Sequence, residues 1–260
     1  MDNSNIRLCW KHRESPMAIK SDASFCTNSS ELSDNGLPSC HVGCDYYFKC
    51  NKAFERATLP DFLWDTASNF HPDMVDANNL VVIKHIRKDI LSFVKEGRNL
   101  CICSNLSGNG KTSRAATLMC EYISRCIENG YYKDKLARYV YVPKFVTDYD
   151  FVEKLPFEHE SRRTFIDFIE SLRYSDIVIF DCLGFDSKTK AEDVIIRSVI
   201  NDRLNSKKCS IFVFNRGIND IPNYLDKSDW QRISSSSFKL EFNANSYRDN
   251  DFSKYLVGGM

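Results

Sequence analysis

A glycine-rich stretch in the middle of the chain reads Asn105-Leu106-Ser107-Gly108-Asn109-Gly110-Lys111-Thr112. It follows an apolar run, residues 100–103, that predicts a buried strand, and it precedes apolar positions at helical spacing that end before Gly130. A strand, a glycine-rich loop, Lys-Thr and a helix together are typical of a nucleotide phosphate-binding loop. The alternative is an ordinary strand-turn-helix, and the coincidence of all four features favours the phosphate-binding loop.

The chemistry of such a loop predicts what each part does. Its backbone N–H groups and the positive end of the helix face the phosphates, Lys111 adds a charge beside the β and γ phosphates, and the Thr112 hydroxyl binds Mg²⁺. The usual pattern begins with glycine. Asparagine is the residue other than glycine that best tolerates a positive φ, so we expect the loop to tolerate Asn105 at some cost in fit. The predicted nucleotide-binding residues are Asn105, Ser107, Gly108, Asn109, Gly110, Lys111, Thr112 and Ser113.

Composition is that of a soluble globular protein. The 260 residues are 43% hydrophobic and 27% charged, and no apolar run approaches the roughly 18 residues of a membrane span. The first residues are polar and no signal sequence follows them, so we expect a cytoplasmic protein. Lys plus Arg equals Asp plus Glu, at 35 each, so net charge neither supports nor excludes DNA binding.

Alternating strands and helices predict the fold class. Continuous apolar runs at residues 139–142, 177–180 and 210–214 are separated by helical patterns, and a long helix is predicted from Asp76 to Gly97. Apolar strands of this kind indicate an α/β fold with a parallel sheet that carries helices on both faces.

Two polar residues follow the predicted strands. Ligands of parallel sheets bind at the carboxyl ends of the strands, where Asp181 and Asn215 stand. We expect Asp181 to hold Mg²⁺ together with Thr112, the alternative being that this Asp only forms a turn.

Cysteines crowd the first fifth of the chain. We predict that residues 1–56 form a small Cys-rich module and that residues 57–260 form the nucleotide-binding domain. Three thiols fall within eleven residues, with a fourth upstream, which indicates a zinc site. An iron–sulfur cluster and free reduced cysteines are the alternatives. The predicted ligands are Cys26, Cys40, Cys44 and Cys50, with Cys9 as the alternative to Cys26 for the fourth thiol and His41 as an alternative to a cysteine.

From residue 57 to about 250 the chain resembles the AAA+ ATPases, and within them the DnaC/DnaI-type helicase loaders and their phage relatives. Residues 176–186 look like the Walker B segment, and Arg203 falls where such loaders carry an arginine. The resemblance implies an AAA+ P-loop fold without a C-terminal lid, because the chain ends about a dozen residues after Arg248. It also implies catalytic roles for Asp181, Asp186, Asn215 (sensor 1), Arg232 (arginine finger) and Arg248 (sensor 2).

Two residues depart from the pattern of the family. Cys182 occupies the position where the family has a second acid, and a thiol cannot replace a carboxylate in polarising water. Asp186 is the nearest substitute. Together with Asn105, this change predicts an ATP-binding protein with weak ATPase activity. Arg232 implies an oligomer because an arginine finger acts across a subunit boundary, although a surface ion pair is the alternative for both Arg232 and Arg248.

The resemblance implies a phage-encoded, ATP-dependent loader of a replicative DnaB-type helicase onto single-stranded DNA, with residues 1–56 binding the helicase. Two alternatives stay open. One is an IstB-like transposition ATPase that remodels duplex DNA. The other is a non-hydrolysing, nucleotide-bound protein that sequesters a helicase, which Cys182 and Asn105 favour.

Overall fold

A computed structural model describes residues 45–60, 63, 77–131, 136–184 and 192–243. The helices are α1 (Asp45–Arg56), α2 (Ala77–Lys88), α3 (Ile90–Lys95), α4 (Lys111–Glu128), α5 (Val142–Val152), α6 (Glu160–Tyr174), α7 (Arg197–Asn205) and α8 (Lys227–Ser236). The strands are β1 (Asn99–Cys103), β2 (Ala137–Tyr141), β3 (Ile177–Asp181), β4 (Cys209–Phe214) and β5 (Ser237–Glu241). Several predicted functional residues lie outside the described ranges: Cys9, Cys26, Cys40, His41, Cys44, Asp186 and Arg248.

The five strands form one parallel sheet with the order β2-β3-β4-β1-β5. Strands β1 and β4 pair with Leu100 opposite Ile211, and β3 pairs with β4 on its other side. The predicted α/β fold with a parallel sheet is therefore confirmed. Because all strands run the same way, the loops that follow β1, β3 and β4 meet at one edge of the sheet.

Helices cover both faces of the sheet. Leu100 and Ile102 of β1 pack into a core with α1 to α4, whereas Cys101 and Cys103 pack into a second core with α5 to α8. Every residue of β1, β3 and β4 is buried, which explains why these strands, apart from Asn99, Asp181 and Ser210, are continuously apolar instead of alternating.

The long helix predicted between Asp76 and Gly97 is in fact two helices, α2 and α3, with a break at Asp89. Asp89 has φ −110° and ψ 29°, outside helical values, and aspartate has a low helix propensity. Gly97 ends α3 with a φ of +64°, and a Cβ there would lie 1.9 Å from the carbonyl oxygen of Lys207. Glycine is required at this position for both reasons.

Helix α1, at the end of the predicted Cys-rich module, packs on the phosphate-loop helix α4. Its residues Cys50, Ala53 and Phe54 are buried in the same core as the strands. In the part of the chain that the structure describes, no group of three or more His, Cys, Asp and Glu side chains is arranged to hold a metal ion. The other predicted ligands lie outside that part, so the zinc or iron–sulfur site and the domain boundary at residue 56 stay predictions.

None of the helices within these described ranges has the length and apolar character needed to cross a membrane.

Arg203 is fully buried at the amino ends of β3 and β4, opposite the edge that carries the glycine-rich loop. Its guanidinium donates to the carbonyl oxygens of Leu172 and Ser175 at 2.7 and 2.8 Å, to the Cys209 carbonyl, and to the Ser210 hydroxyl at 3.0 Å. Burial lowers the pKa of Arg203 to about 10, so the side chain stays charged at neutral pH. Its role is to join the end of α6 to the start of β4.

We expect Arg203→Leu to lower the free energy of unfolding by about 3 kcal/mol, because three buried carbonyl groups lose their donor. Urea unfolding measures this change. The matched control is Arg98→Leu, since Arg98 is half exposed and pairs with Glu96 at 2.5 Å on the surface. That variant should change stability by no more than about 0.5 kcal/mol. Equal losses in the two variants would contradict the structural role of Arg203.

Candidate nucleotide-binding site

The loop that connects β1 to α4 has the backbone conformation of a phosphate-binding loop. Gly108 and Gly110 have φ values of +73° and +86°, a region that glycine adopts without strain. Gly110 is the N-cap of α4, and the helix begins at Lys111. The N–H groups of Lys111 and Thr112 lie at the positive end of α4, where they can face an anion, whereas the Arg114 N–H donates to the Gly110 carbonyl at 2.9 Å.

The Lys111 side chain lies inside the loop and is only 3% exposed. Its ammonium group donates to the carbonyl oxygen of Leu106 at 2.6 Å and to Oδ1 of Asn109 at 3.1 Å. Burial lowers the pKa of Lys111, and the charge of Asp181 opposes that effect. A buried cation held by two neutral oxygens has a strong preference for an anionic partner.

Thr112 and Asp181 come together although 69 residues separate them. The Thr112 hydroxyl donates to the Asp181 carboxylate, 3.1 Å from Oδ1 and 3.3 Å from Oδ2. Asp181 is 6% exposed. Burial raises its pKa, and hydrogen bonds from Tyr139 and Thr112 lower it. A hydroxyl and a carboxylate beside a phosphate loop are hard oxygen donors that fit Mg²⁺.

Tyr139 is a site residue that sequence reasoning missed. Its hydroxyl donates to Oδ2 of Asp181 at 2.7 Å, while its ring is buried in the core beneath the site. Burial, together with the nearby Asp181 charge, raises the pKa of Tyr139, so the phenol stays protonated and remains a donor. Nothing in the sequence pattern distinguished Tyr139 from the apolar residues of its strand.

Asn215 and Cys182 also meet at this edge of the sheet. The Asn215 amide donates to the Cys182 thiol at 3.3 Å, and the Tyr141 phenol is hydrogen bonded to the same thiol. Cys182 has a φ of +61°, a conformation that is costly for a residue with a Cβ. The residue at the second-acid position is therefore held in a fixed place between two polar side chains.

Asn105 does not use the positive φ that asparagine tolerates. Among the non-glycine residues that the structure describes, a positive φ occurs at Thr58, Cys182 and Lys207. Asn105 instead uses its side chain, whose Oδ1 accepts a hydrogen bond from the backbone N–H of Gly217 at 2.6 Å. A Cβ on Gly217 would lie 2.6 Å from Nδ2 of Asn105, so a larger residue at position 217 would displace the Asn105 side chain. At the position where glycine is usual, Asn105 thus joins the glycine-rich loop to the loop after β4.

Two further side chains tie this region to the end of β5. Glu241 accepts from the Ile218 N–H at 2.9 Å, and the buried Asn109 amide donates to the Ser104 hydroxyl at 2.7 Å and to the Phe242 carbonyl at 3.2 Å. The Asn109 side chain therefore supports the loop from within, which leaves its backbone N–H as the group able to contact a phosphate. Gly217 and Glu241 were not singled out from the sequence.

The remaining predicted residues lie around or away from this cluster. Ser107 is exposed in the loop, and Ser113 is half-buried in the first turn of α4. The exposed Arg232 side chain donates to Asn201 and Asn205 of α7 at 2.7 and 2.8 Å. Because α8 leads into the amino end of β5, Arg232 lies toward the edge of the sheet opposite this chain's own phosphate loop. An action of Arg232 on a neighbouring subunit stays a prediction.

The fold was compared with solved structures. The crystal structure of the DnaC helicase loader matches 71% of this chain and 100% of its own, with a TM-score of 0.56 and 16% identity. The chain has the AAA+ fold of the DnaC helicase loader. DnaI matches with a TM-score of 0.48 and 15% identity over 64% of this chain and 85% of its own. A putative primosome component from Streptococcus pyogenes serotype M3 matches with a TM-score of 0.48 and 17% identity over 75% of this chain and 97% of its own. We base the assignment of the AAA+ fold on the first comparison. No protein-family model matches the sequence, and no curated relative matches it.

The Asn105–Gly217 contact generates a prediction about stability. Asn105→Ala removes the acceptor of the Gly217 N–H, and we expect it to lower the free energy of unfolding by about 1 kcal/mol. Asn105→Asp keeps the acceptor and should retain most of that stability. Urea unfolding of the purified variants provides both values.

Substitutions at Gly217 test the same contact from its other side. Gly217→Ala alone places a Cβ against the Asn105 side chain and should destabilise the protein, whereas Asn105→Gly combined with Gly217→Ala removes the clash. The double variant should therefore lose less stability than the sum of the two single variants. Strictly additive losses would contradict the contact.

Proposed function

We propose that this protein is an ATP-dependent loader that places a replicative hexameric DnaB-type helicase on single-stranded DNA. The observation that carries the proposal is the cluster of Lys111, Thr112 and Asp181 at the carboxyl edge of a sheet with the fold of DnaC. A chain with this fold and this cluster has what it needs to bind a magnesium–nucleotide complex.

Each side chain has a defined role in that site. The loop N–H groups and Lys111 bind the phosphates, and Thr112 and Asp181 hold the metal. Bound Mg²⁺ neutralises charge on the phosphates and polarises the γ phosphate. Asn215 lies at the end of β4, where its amide can orient a water beside the γ phosphate. In an oligomer, Arg232 of one subunit would stabilise the transferring phosphoryl group of the next.

Weak hydrolysis is part of this proposal. Cys182 stands beside Asp181, within hydrogen-bond reach of Asn215, where a carboxylate would otherwise polarise the attacking water. A thiol is a poor general base for water at neutral pH, so nucleotide binding rather than rapid turnover should drive the protein's conformational states. The same observation favours a second candidate function, a nucleotide-bound protein that sequesters a helicase without hydrolysis.

The proposal extends to the N-terminal segment. Residues 1–56 would bind the helicase, with Cys26, Cys40, Cys44 and Cys50 holding zinc, or an iron–sulfur cluster, as a structural centre. A phage-encoded protein acting in the cytoplasm of its bacterial host fits this function.

The decisive test of the proposal is binding of the full chain to Mg-ATP and to the host's DnaB-type helicase. We expect Mg-ATP to raise the midpoint of thermal unfolding and to promote a stable helicase complex on single-stranded DNA. Lys111→Ala should abolish both effects, since the cation for the β and γ phosphates is lost. Lys144→Ala is the matched control because Lys144 is 71% exposed and pairs with Asp148 on α5.

The outcomes of these binding experiments distinguish a helicase loader from the alternative functions. Equal stabilisation of wild type and Lys111→Ala by Mg-ATP would contradict the nucleotide site. Nucleotide binding together with duplex bending and no helicase complex would favour a transposition ATPase. A helicase complex that blocks loading onto single-stranded DNA would favour the sequestering protein.

We further expect Cys182→Asp to raise the ATPase rate by about tenfold or more, because a carboxylate at this position can polarise water next to the metal. Aspartate is preferable to glutamate here since it tolerates the positive φ of residue 182 at lower cost. Steady-state phosphate release measures the rate. The matched control, Cys182→Asn, has the same shape without the charge and should leave the rate low, while nucleotide affinity stays within about twofold in both variants. A gain in Cys182→Asn equal to that in Cys182→Asp would contradict the missing-carboxylate explanation.

A further inference from the structure

The edge strand β2 is covered at one point by the segment that follows α1. The N–H of Tyr139 donates to the carbonyl oxygen of Ala57 at 2.7 Å. The single hydroxyl proton of Thr58 is shared between two carbonyl oxygens, that of Tyr139 at 2.7 Å and that of Ala57 at 2.6 Å. Both backbone groups of Tyr139 that point away from β3 are thus bound by two consecutive residues. The Ala57–Thr58 pair forms a clamp on this single residue of β2.

Thr58 has a backbone conformation that is rare for its residue type. Its φ is +57°, and a β-branched side chain makes this left-handed conformation costly. Its N–H donates to the Glu55 carbonyl at 2.9 Å, and the Leu59 N–H donates to the Phe54 carbonyl at 3.2 Å, which is the pattern that ends a helix at a left-handed residue. Glycine is usual there. The Thr58 hydroxyl supplies what glycine lacks, the hydrogen bond to Tyr139.

The other end of Tyr139 reaches the magnesium side of the candidate site. Its hydroxyl donates to Oδ2 of Asp181 at 2.7 Å, while the Thr112 hydroxyl donates to Oδ1 of the same carboxylate at 3.1 Å. The two donors hold the two carboxylate oxygens, so they fix the rotation of the group. Since Tyr139 is 6% exposed, its ring has little freedom to move without its backbone.

We propose that Tyr139 is a positioning residue that holds the Asp181 carboxylate for Mg²⁺, and that the Ala57–Thr58 clamp couples helix α1 to this carboxylate. The inference rests on the proposed function for the magnesium site. Its consequence is regulatory. A partner that moves α1 changes the affinity for magnesium–nucleotide, and magnesium–nucleotide changes the affinity for that partner by the same factor.

The first experiment measures ATP binding by the full chain at increasing Mg²⁺ concentration, with magnesium-free ATP binding as the baseline. Tyr139→Phe keeps the ring and removes the hydroxyl, and we expect it to raise the Mg²⁺ concentration for half-saturation about tenfold without changing the baseline. Tyr122→Phe is the matched control. Tyr122 is also buried and donates to an aspartate, Asp176, at 3.1 Å, but at the opposite edge of the sheet. Tyr122→Phe should lower the free energy of unfolding without changing the Mg²⁺ concentration for half-saturation.

The second experiment tests the clamp. Thr58→Gly suits the positive φ but removes the hydroxyl, so it should raise the Mg²⁺ requirement about threefold without loss of stability, and Thr58→Ser should restore the wild-type value. The double variant Thr58→Gly/Tyr139→Phe should need no higher Mg²⁺ concentration for half-saturation than Tyr139→Phe, because the clamp acts through Tyr139. In wild type, Mg-ATP should slow hydrogen exchange at the amide of position 139 relative to magnesium-free ATP, and Tyr139→Phe should abolish that difference.

Three results would overturn the inference while leaving the proposed function intact. The first is that Tyr139→Phe and Tyr122→Phe need the same Mg²⁺ concentration for half-saturation. The second is that Thr58→Gly needs the same Mg²⁺ concentration as the wild type. The third is that the fold-changes of Thr58→Gly and Tyr139→Phe multiply in the double variant. A wild-type protein whose ATP binding is independent of Mg²⁺ would overturn both the proposed function and this inference.

Discussion

The buried carboxylate of Asp181 is the group on which the rest of the candidate site depends. Burial opposes its charge, and the surrounding donors stabilise it. Those donors come from three elements: Thr112 from the start of α4, Tyr139 from β2, and the backbone of Cys182 after β3. The parallel sheet is what brings the ends of these elements to one place, so the fold and the chemistry of the site have a common origin.

A second set of contacts holds the phosphate loop against the strands that flank β1. Asn105 binds the Gly217 N–H after β4, and Asn109 binds the Phe242 carbonyl after β5. The loop is therefore fixed from both sides by side-chain amides. An asparagine where glycine is usual is explained here by an added hydrogen bond rather than by an unusual backbone angle.

Two residues illustrate how position in the sheet decides the role of a polar side chain. Arg203 lies at the amino ends of the strands, where it satisfies buried carbonyl groups and is part of the structural core. Cys182 lies at the carboxyl end of β3, where its thiol is hydrogen bonded to Asn215 and adjoins the Asp181 carboxylate. We expect Arg203 to affect stability and Cys182 to affect the chemistry of the candidate site, although both lie in a largely apolar region.

The sequence by itself determined the α/β class, the unit of strand, glycine-rich loop and helix, and the positions of Lys111, Thr112, Asp181 and Asn215 at the carboxyl ends of the strands, because those features depend on local periodicity and on residue types at short spacing. Only the tertiary structure decided that Tyr139 binds Asp181, that Asn105 meets Gly217, and that Thr58 clamps β2. These contacts join residues 42, 112 and 81 positions apart. The pairing register and the packing of α1 on α4 create them, and neither leaves a periodic signal in the chain. The break at Asp89 was missed because apolar spacing continues across it, although Asp89 itself has φ and ψ values outside the helical range.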